Sequence, residues 1–172
     1  PSDSDSWDAR KDRIIGLGER SFRKSYYPQL RQNLDRLERF RTLLDRTSDL
    51  VILVAMPDGM VVDANAALGR LFGESVEDLI GRSFASLGLA DATTVLDGLR
   101  REMVARADGG EMLTHTLVTE FGPENSTIWL ELTYRVAKVD EGCFGVLVGR
   151  DITERKHAED KVNFLAHHDA LT

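Results

Sequence analysis

The stretch from residue 127 to 139 constrains the fold most. Within it Ile128, Leu130, Leu132, Tyr134 and Val136 alternate with Trp129, Glu131, Thr133 and Arg135. A strand turns successive side chains to opposite faces, so this period of two places one apolar row opposite a mixed one. The segment therefore belongs to a sheet with one face in a core and the other exposed or docked. Two further strand segments adjoin it, residues 111–121 and 143–150, with Gly122-Pro123-Glu124-Asn125 and Asp140-Glu141-Gly142 as the turns between. Upstream, the apolar run 50–56 and the segment 60–63 flank Pro57-Asp58-Gly59, which reads as a hairpin.

Helical signals fill the space between the hairpin and the three strands. Asn65 suits the N-cap of a short helix over residues 66–72 that Gly73 closes. Ser75, with Asp78 three residues on, forms an imperfect capping box for a second short helix ended by Gly81. Residues 91–107 are long enough for a full helix, with Val95, Leu99 and Met103 spaced by four, and Asp108-Gly109-Gly110 stops it. The order strand, strand, helices, strand, strand, strand gives an α+β domain: a five-stranded antiparallel sheet with helices over one face.

Two helices flank this domain. Residues 29–45 lack Gly and Pro and carry Leu30, Leu34, Leu37, Phe40 and Leu44 as one stripe, with Pro28 in the first turn and Thr47-Ser48-Asp49 at the end. A lone helix would leave that stripe wet. It is expected to lie on the sheet, where Trp129 offers a floor, or against its twin in a homodimer. After the last strand a charged helix opens, with Ile152, Ala158, Val162 and Leu165 as its sparse apolar positions. The expected division is a helical segment over 1–46, the α+β domain over 47–151, and a helix leading onward over 152–172.

Composition excludes several function classes. The run 50–56 is far short of the roughly 20 residues that span a bilayer, and Pro1-Ser2-Asp3-Ser4-Asp5 is no signal peptide, which gives a cytoplasmic expectation. Residues 50–150 hold fifteen acidic side chains against eight basic ones and so repel phosphate, which argues against nucleic-acid binding. Cys143 is the single cysteine, so no intrachain disulfide framework exists. His167 and His168 are neighbours and point about 100° apart on a helix, so no metal site is expected there. Asp63, Glu131 and His115 are the candidate acids and bases, yet no spacing groups a nucleophile, a base and an oxyanion donor. No catalytic residue is assigned, and the segment is expected not to be an enzyme.

Three motifs in order carry a family resemblance. They are Asp63-Ala64-Asn65-Ala66-Ala67 leading to Leu71-Phe72-Gly73, then Glu77-Asp78-Leu79-Ile80-Gly81-Arg82-Ser83, then Gly149-Arg150-Asp151-Ile152-Thr153-Glu154-Arg155-Lys156. With them, residues 50–153 resemble a PAS sensor domain. The resemblance implies that Asp151 and Thr153 couple the sheet to the output helix, with Trp129 on the outer face beside them. The concavity between helices and sheet is where a small ligand is expected, with Leu71, Val95, Leu99, Met103, Leu132 and Val146 as its wall, unless these residues simply fill the core. His115 is the one ionisable group that either faces that cavity or sits on the exposed side. Flavin-binding relatives carry a reactive Cys in an Asn-Cys-Arg-Phe-Leu motif, whereas Cys143 begins a strand. Haem-binding relatives place a His on the long helix, and residues 91–107 contain none. Both cofactors are therefore disfavoured.

The segment Asn163-Phe164-Leu165-Ala166-His167-His168-Asp169-Ala170-Leu171-Thr172 resembles the opening of a GGDEF domain, the family that joins two GTP molecules into cyclic di-GMP. It implies a bacterial diguanylate cyclase as the parent molecule, with or without a phosphodiesterase domain further on, and a GGDEF domain as the partner downstream. The start without Met agrees with a segment cut from a longer chain.

Overall fold

The computed structural model describes residues 10, 13, 28–111, 113–122 and 124–171. The chain divides into two units, 1–43 and 44–172. Residues 28–46 are helical (α1), and Leu30, Leu34, Leu37, Phe40 and Leu43 on this helix are exposed.

The second unit is a five-stranded antiparallel sheet with helices over one face, as the order of segments predicts. Strands β1 (Leu50–Ala55) and β2 (Met60–Ala64) form the hairpin. Helices α2 (Ala66–Phe72) and α3 (Val76–Leu79), a 3-10 turn (Phe84–Leu87) and α4 (Ala92–Ala107) follow. Then come β3 (His115–Phe121), β4 (Ile128–Val139), β5 (Gly142–Asp151) and α5 (Thr153–Ala170). The sheet order is β2-β1-β5-β4-β3, which puts β5, the strand that feeds α5, at the centre. Gly73 ends α2 at φ 66°, and Ser75 caps α3 by accepting the Asp78 N–H. Both local signals act as expected.

β3 is shorter than its sequence segment. Its ladder to β4 begins at His115 opposite Tyr134, and Glu111, Leu113 and Thr114 precede it without strand pairing. Met112 lies outside the described residues, as do Pro123 of the following turn and Thr172. β4 runs on past Tyr134 to Val139, so pairing stops before the partner strand does, and period alone cannot show where it starts.

The core lies between the helices and the inner face of the sheet. Leu130, Leu132, Tyr134 and Val136 of β4 are buried there with Ile52 and Val54 of β1, Leu147 of β5, and Val95, Leu96 and Leu99 of α4. Arg106 Nη1 donates to the Val136 carbonyl at 2.6 Å and fastens the last turn of α4 to β4. Glycine gives α4 its close approach. A Cβ on Gly145 would stand 2.7 Å from Leu99 Cδ1 and 2.8 Å from Val54 Cγ2. Among the described residues no helix is long and apolar enough to cross a membrane.

Gly145→Val should overpack this contact and lower stability by about 1–3 kcal/mol. Urea unfolding will show it as a lower midpoint at unchanged slope. An unchanged midpoint would mean that α4 and β1 yield without cost.

Candidate functional site

Where β5 hands over to α5, three side chains and one strand meet. Asp151 Oδ1 accepts the Thr153 backbone N–H at 2.9 Å and also the Thr153 hydroxyl. Asp favours this turn because its short carboxylate reaches the backbone two residues on. Thr153 Oγ1 in turn accepts the Trp129 N–H from β4 at 3.0 Å. Ile152, 3% exposed, donates its N–H to the Trp129 carbonyl at 2.8 Å. The start of α5 is thus hydrogen-bonded to β4 through both polar groups of one residue. On the outer face Lys156 Nζ lies 5.4 Å from the centre of the Trp129 ring, and Arg155 Nη2 lies 3.5 Å from Glu131 Oε2. Trp129, Asp151 and Thr153, which the sequence singles out, are brought together here.

A second polar cluster joins residues 44–49 to β1 and α2. Asn65, 4% exposed, accepts the Val51 N–H at Oδ1, 3.0 Å away. Its Nδ2 donates to the carbonyls of Leu44 (3.0 Å) and Asp49 (2.8 Å). A buried amide is stable only with such partners, and this one has them on both ends. Asn65 does occupy the N-cap position of α2, but its side chain does not cap the helix. Asp45 does so instead, its Oδ1 accepting the Ala66 N–H at 2.8 Å. Arg70 Nη2 donates to the carbonyls of Asp45 (3.4 Å) and Thr47 (3.3 Å), and Arg150 Nε lies 3.7 Å from Asp49 Oδ1.

Between the two clusters opens a cleft of about 330 Å³. Leu50, Ala67, Leu71, Ile128 and Leu130 form its floor. Ser48, Arg70 and Asp151 stand at its rim. Of the expected cavity wall, only Leu71 lines this cleft. Val95, Leu99 and Leu132 are fully buried in the core, and Met103 packs against it half-buried. Val146 corrects the expectation. Gly145, Leu147 and Gly149 take the inner face of β5, so alternation sends Val146 to the outer one. Phe144 to Val148 are apolar or Gly throughout, which leaves no parity signal to read.

His115 faces inward with the parity of Leu117 and Thr119. Its ring stacks on Tyr134 at 5.3 Å and 24°. Its Nε2 lies 3.7 Å from Oε2 of Glu102, a residue that no motif in the sequence marks. Glu102 is 4% exposed, and neither carboxylate oxygen has a hydrogen-bond partner. A separation of 3.7 Å is too long for a hydrogen bond. The signal for Glu102 lay in the helix period. Each step of four drifts about 40°, so Met103 lies about 80° from Val95, whereas residue 102, seven along, returns to within about 20°. Cys143 is half-buried in β5, and among the described residues no three His, Cys, Asp or Glu side chains cluster to hold a metal.

Comparison with known proteins gives one coherent set of likenesses. The family described as PAS fold matches residues 44–157. An uncharacterized signaling protein of Caulobacter vibrioides is 30% identical over 139 residues, which cover 79% of this chain and 16% of that protein. The chain thus spans about a sixth of the curated relative it matches. Among solved structures, the PAS domain of an HTR-like protein from Haloarcula marismortui aligns with a TM-score of 0.55 at 17% identity, covering 73% of this chain and 99% of that one. The PAS domain of Bordetella pertussis BvgS aligns with a TM-score of 0.51 at 19% identity, covering 77% and 97%.

The unpartnered carboxylate of Glu102 yields a stability test. Glu102→Met keeps the length of the side chain and removes the buried polar group, so it should raise stability by about 1–3 kcal/mol. Thermal unfolding will read the gain. A loss of that size would show that the carboxylate is satisfied and holds α4 to β3.

Proposed function

The chain belongs to the PAS family of signal-input domains, and we propose that it governs cyclic di-GMP synthesis by a GGDEF domain downstream. A ligand or partner shifts the sheet, the Asp151–Thr153–Trp129 connection passes the shift to α5, and α5 resets the pairing of two GGDEF domains. The observation that carries this reading is the hydrogen-bonded junction itself, in which one threonine binds both the strand that ends at Asp151 and the neighbouring strand at Trp129. The GGDEF part rests on the sequence from Asn163 to Thr172.

Pairing with a second copy suits the helices. Val162, Phe164 and Leu165 of α5 are exposed, and Ala158, Val162 and Leu165 follow spacings of four and three, the rhythm of a two-helix seam. Two GTP-loaded domains must meet to join their substrates, so a dimer that changes its helix register changes output. The bond-making chemistry then belongs to the GGDEF domain, in the cytoplasm where GTP is, and this segment contributes control alone. To shift the populations tenfold, the signal must bind one state about 1.4 kcal/mol better than the other.

A second reading is a ligand-free dimerisation module. The filled centre of the domain favours it, because Val95, Leu99 and Leu132 leave their side chains no exposure to a guest.

In the full-length parent, Asp151→Ala should leave the domain folded by circular dichroism and change basal cyclic di-GMP synthesis from GTP on the order of tenfold. Wild-type output and wild-type regulation in that variant would refute the role of the junction. Native mass spectrometry of the purified protein separates the two readings, since a retained small molecule favours the sensor and its absence across expression hosts favours the module.

A further inference from the structure

The cleft beside Asp151 has the makings of a ligand site distinct from the filled centre of the domain. We propose that it binds a small zwitterion with an apolar body, a free branched-chain α-amino acid, whose carboxylate meets Arg70 and whose ammonium meets Asp151.

Size, floor and rim each narrow the occupant. A volume of about 330 Å³ sits at the small end of ligand pockets and suits a molecule of amino-acid size. The floor is entirely aliphatic, so an apolar body gains by leaving water there. The rim carries one charge of each sign, and among the described residues neither has a counter-ion. Arg70 gives its guanidinium to two backbone carbonyls at 3.3 to 3.5 Å, and Asp151 accepts only from Thr153. A lone anion would be repelled by Asp151 and a lone cation by Arg70. Arg70 and Asp151 are both exposed, so a ligand with both charges pairs with both groups, and one lacking either charge forgoes one of the two pairings.

Asp151 is also the acceptor that fixes Thr153 through Oδ1, so an ammonium arriving there shares the carboxylate that holds the Thr153 hydroxyl and N–H. That consequence rests on the relay reading above; the binding itself does not.

The test is calorimetric titration of the 172-residue chain with L-leucine. Binding is expected, and 4-methylpentanoate (no ammonium), 3-methylbutylamine (no carboxylate) and glycine (no apolar body) should each bind at least about tenfold more weakly. Arg70→Gln should weaken leucine about tenfold or more, with thermal unfolding read beside it to separate the loss of its Asp45 and Thr47 contacts. If that variant fails to fold, the analogue series on the wild-type chain still decides. No heat with leucine, isoleucine or valine up to about 10 mM, or equal affinity for the analogues, would overturn the proposal. Leucine binding that leaves cyclic di-GMP synthesis by the parent unchanged would keep the site and reject the relay. Altered output in Asp151→Ala, with no leucine binding by the wild-type chain, would keep the relay and reject the site.

Discussion

The structure turns on one constraint: the carboxylate of Asp151 holds Thr153 in the orientation in which its hydroxyl oxygen can accept the Trp129 N–H. Without Asp151 the threonine hydroxyl is free to rotate, and the first turn of α5 is tied to β4 by the Ile152 N–H on the Trp129 carbonyl, the Lys156–Trp129 contact and the Arg155–Glu131 pair. With it, the end of the central strand, the start of the helix and the neighbouring strand form one unit. Hydrogen bonds to a charged acceptor are about twice as strong as neutral ones, which makes an exposed junction of so few atoms worth having.

The two ends of the domain are neighbours. Leu50, the first residue of β1, pairs with Gly149 near the end of β5, and Arg150 lies 3.7 Å from Asp49. Asn65 gathers residues 44–51 from below, and the cleft lies between that cluster and Asp151. A change in either cluster is therefore felt within one or two side chains of the other. The central core, by contrast, is tightly filled, and it serves as the rigid body against which those clusters work.

The fold was readable in the sequence because it depends on patterns that repeat. The alternation in residues 128–136, the Gly73 stop and the Ser75 cap are local, and each is realised where it was expected. The site was less readable because it depends on partners far along the chain. Local rules make Asn65 a helix cap, yet its amide is taken by residues 14 to 21 positions away and Asp45 caps in its place. Val146 could not be assigned a face within a uniformly apolar or glycine strand, and Glu102 was hidden by a spacing of four that drifts off a helix face. His115 acquired a neighbour only once α4 and β3 were packed together.

Residue-resolved amide hydrogen exchange in Thr153→Val tests the central claim most directly, since the variant keeps the shape of the threonine and removes its hydroxyl. The Trp129 amide and those of the first turn of α5 should exchange on the order of tenfold faster or more, while Leu132, deep in β4, keeps its protection. Unchanged exchange at Trp129 would contradict the account, because it would mean that the helix is held to the sheet by something other than this hydrogen-bonded junction.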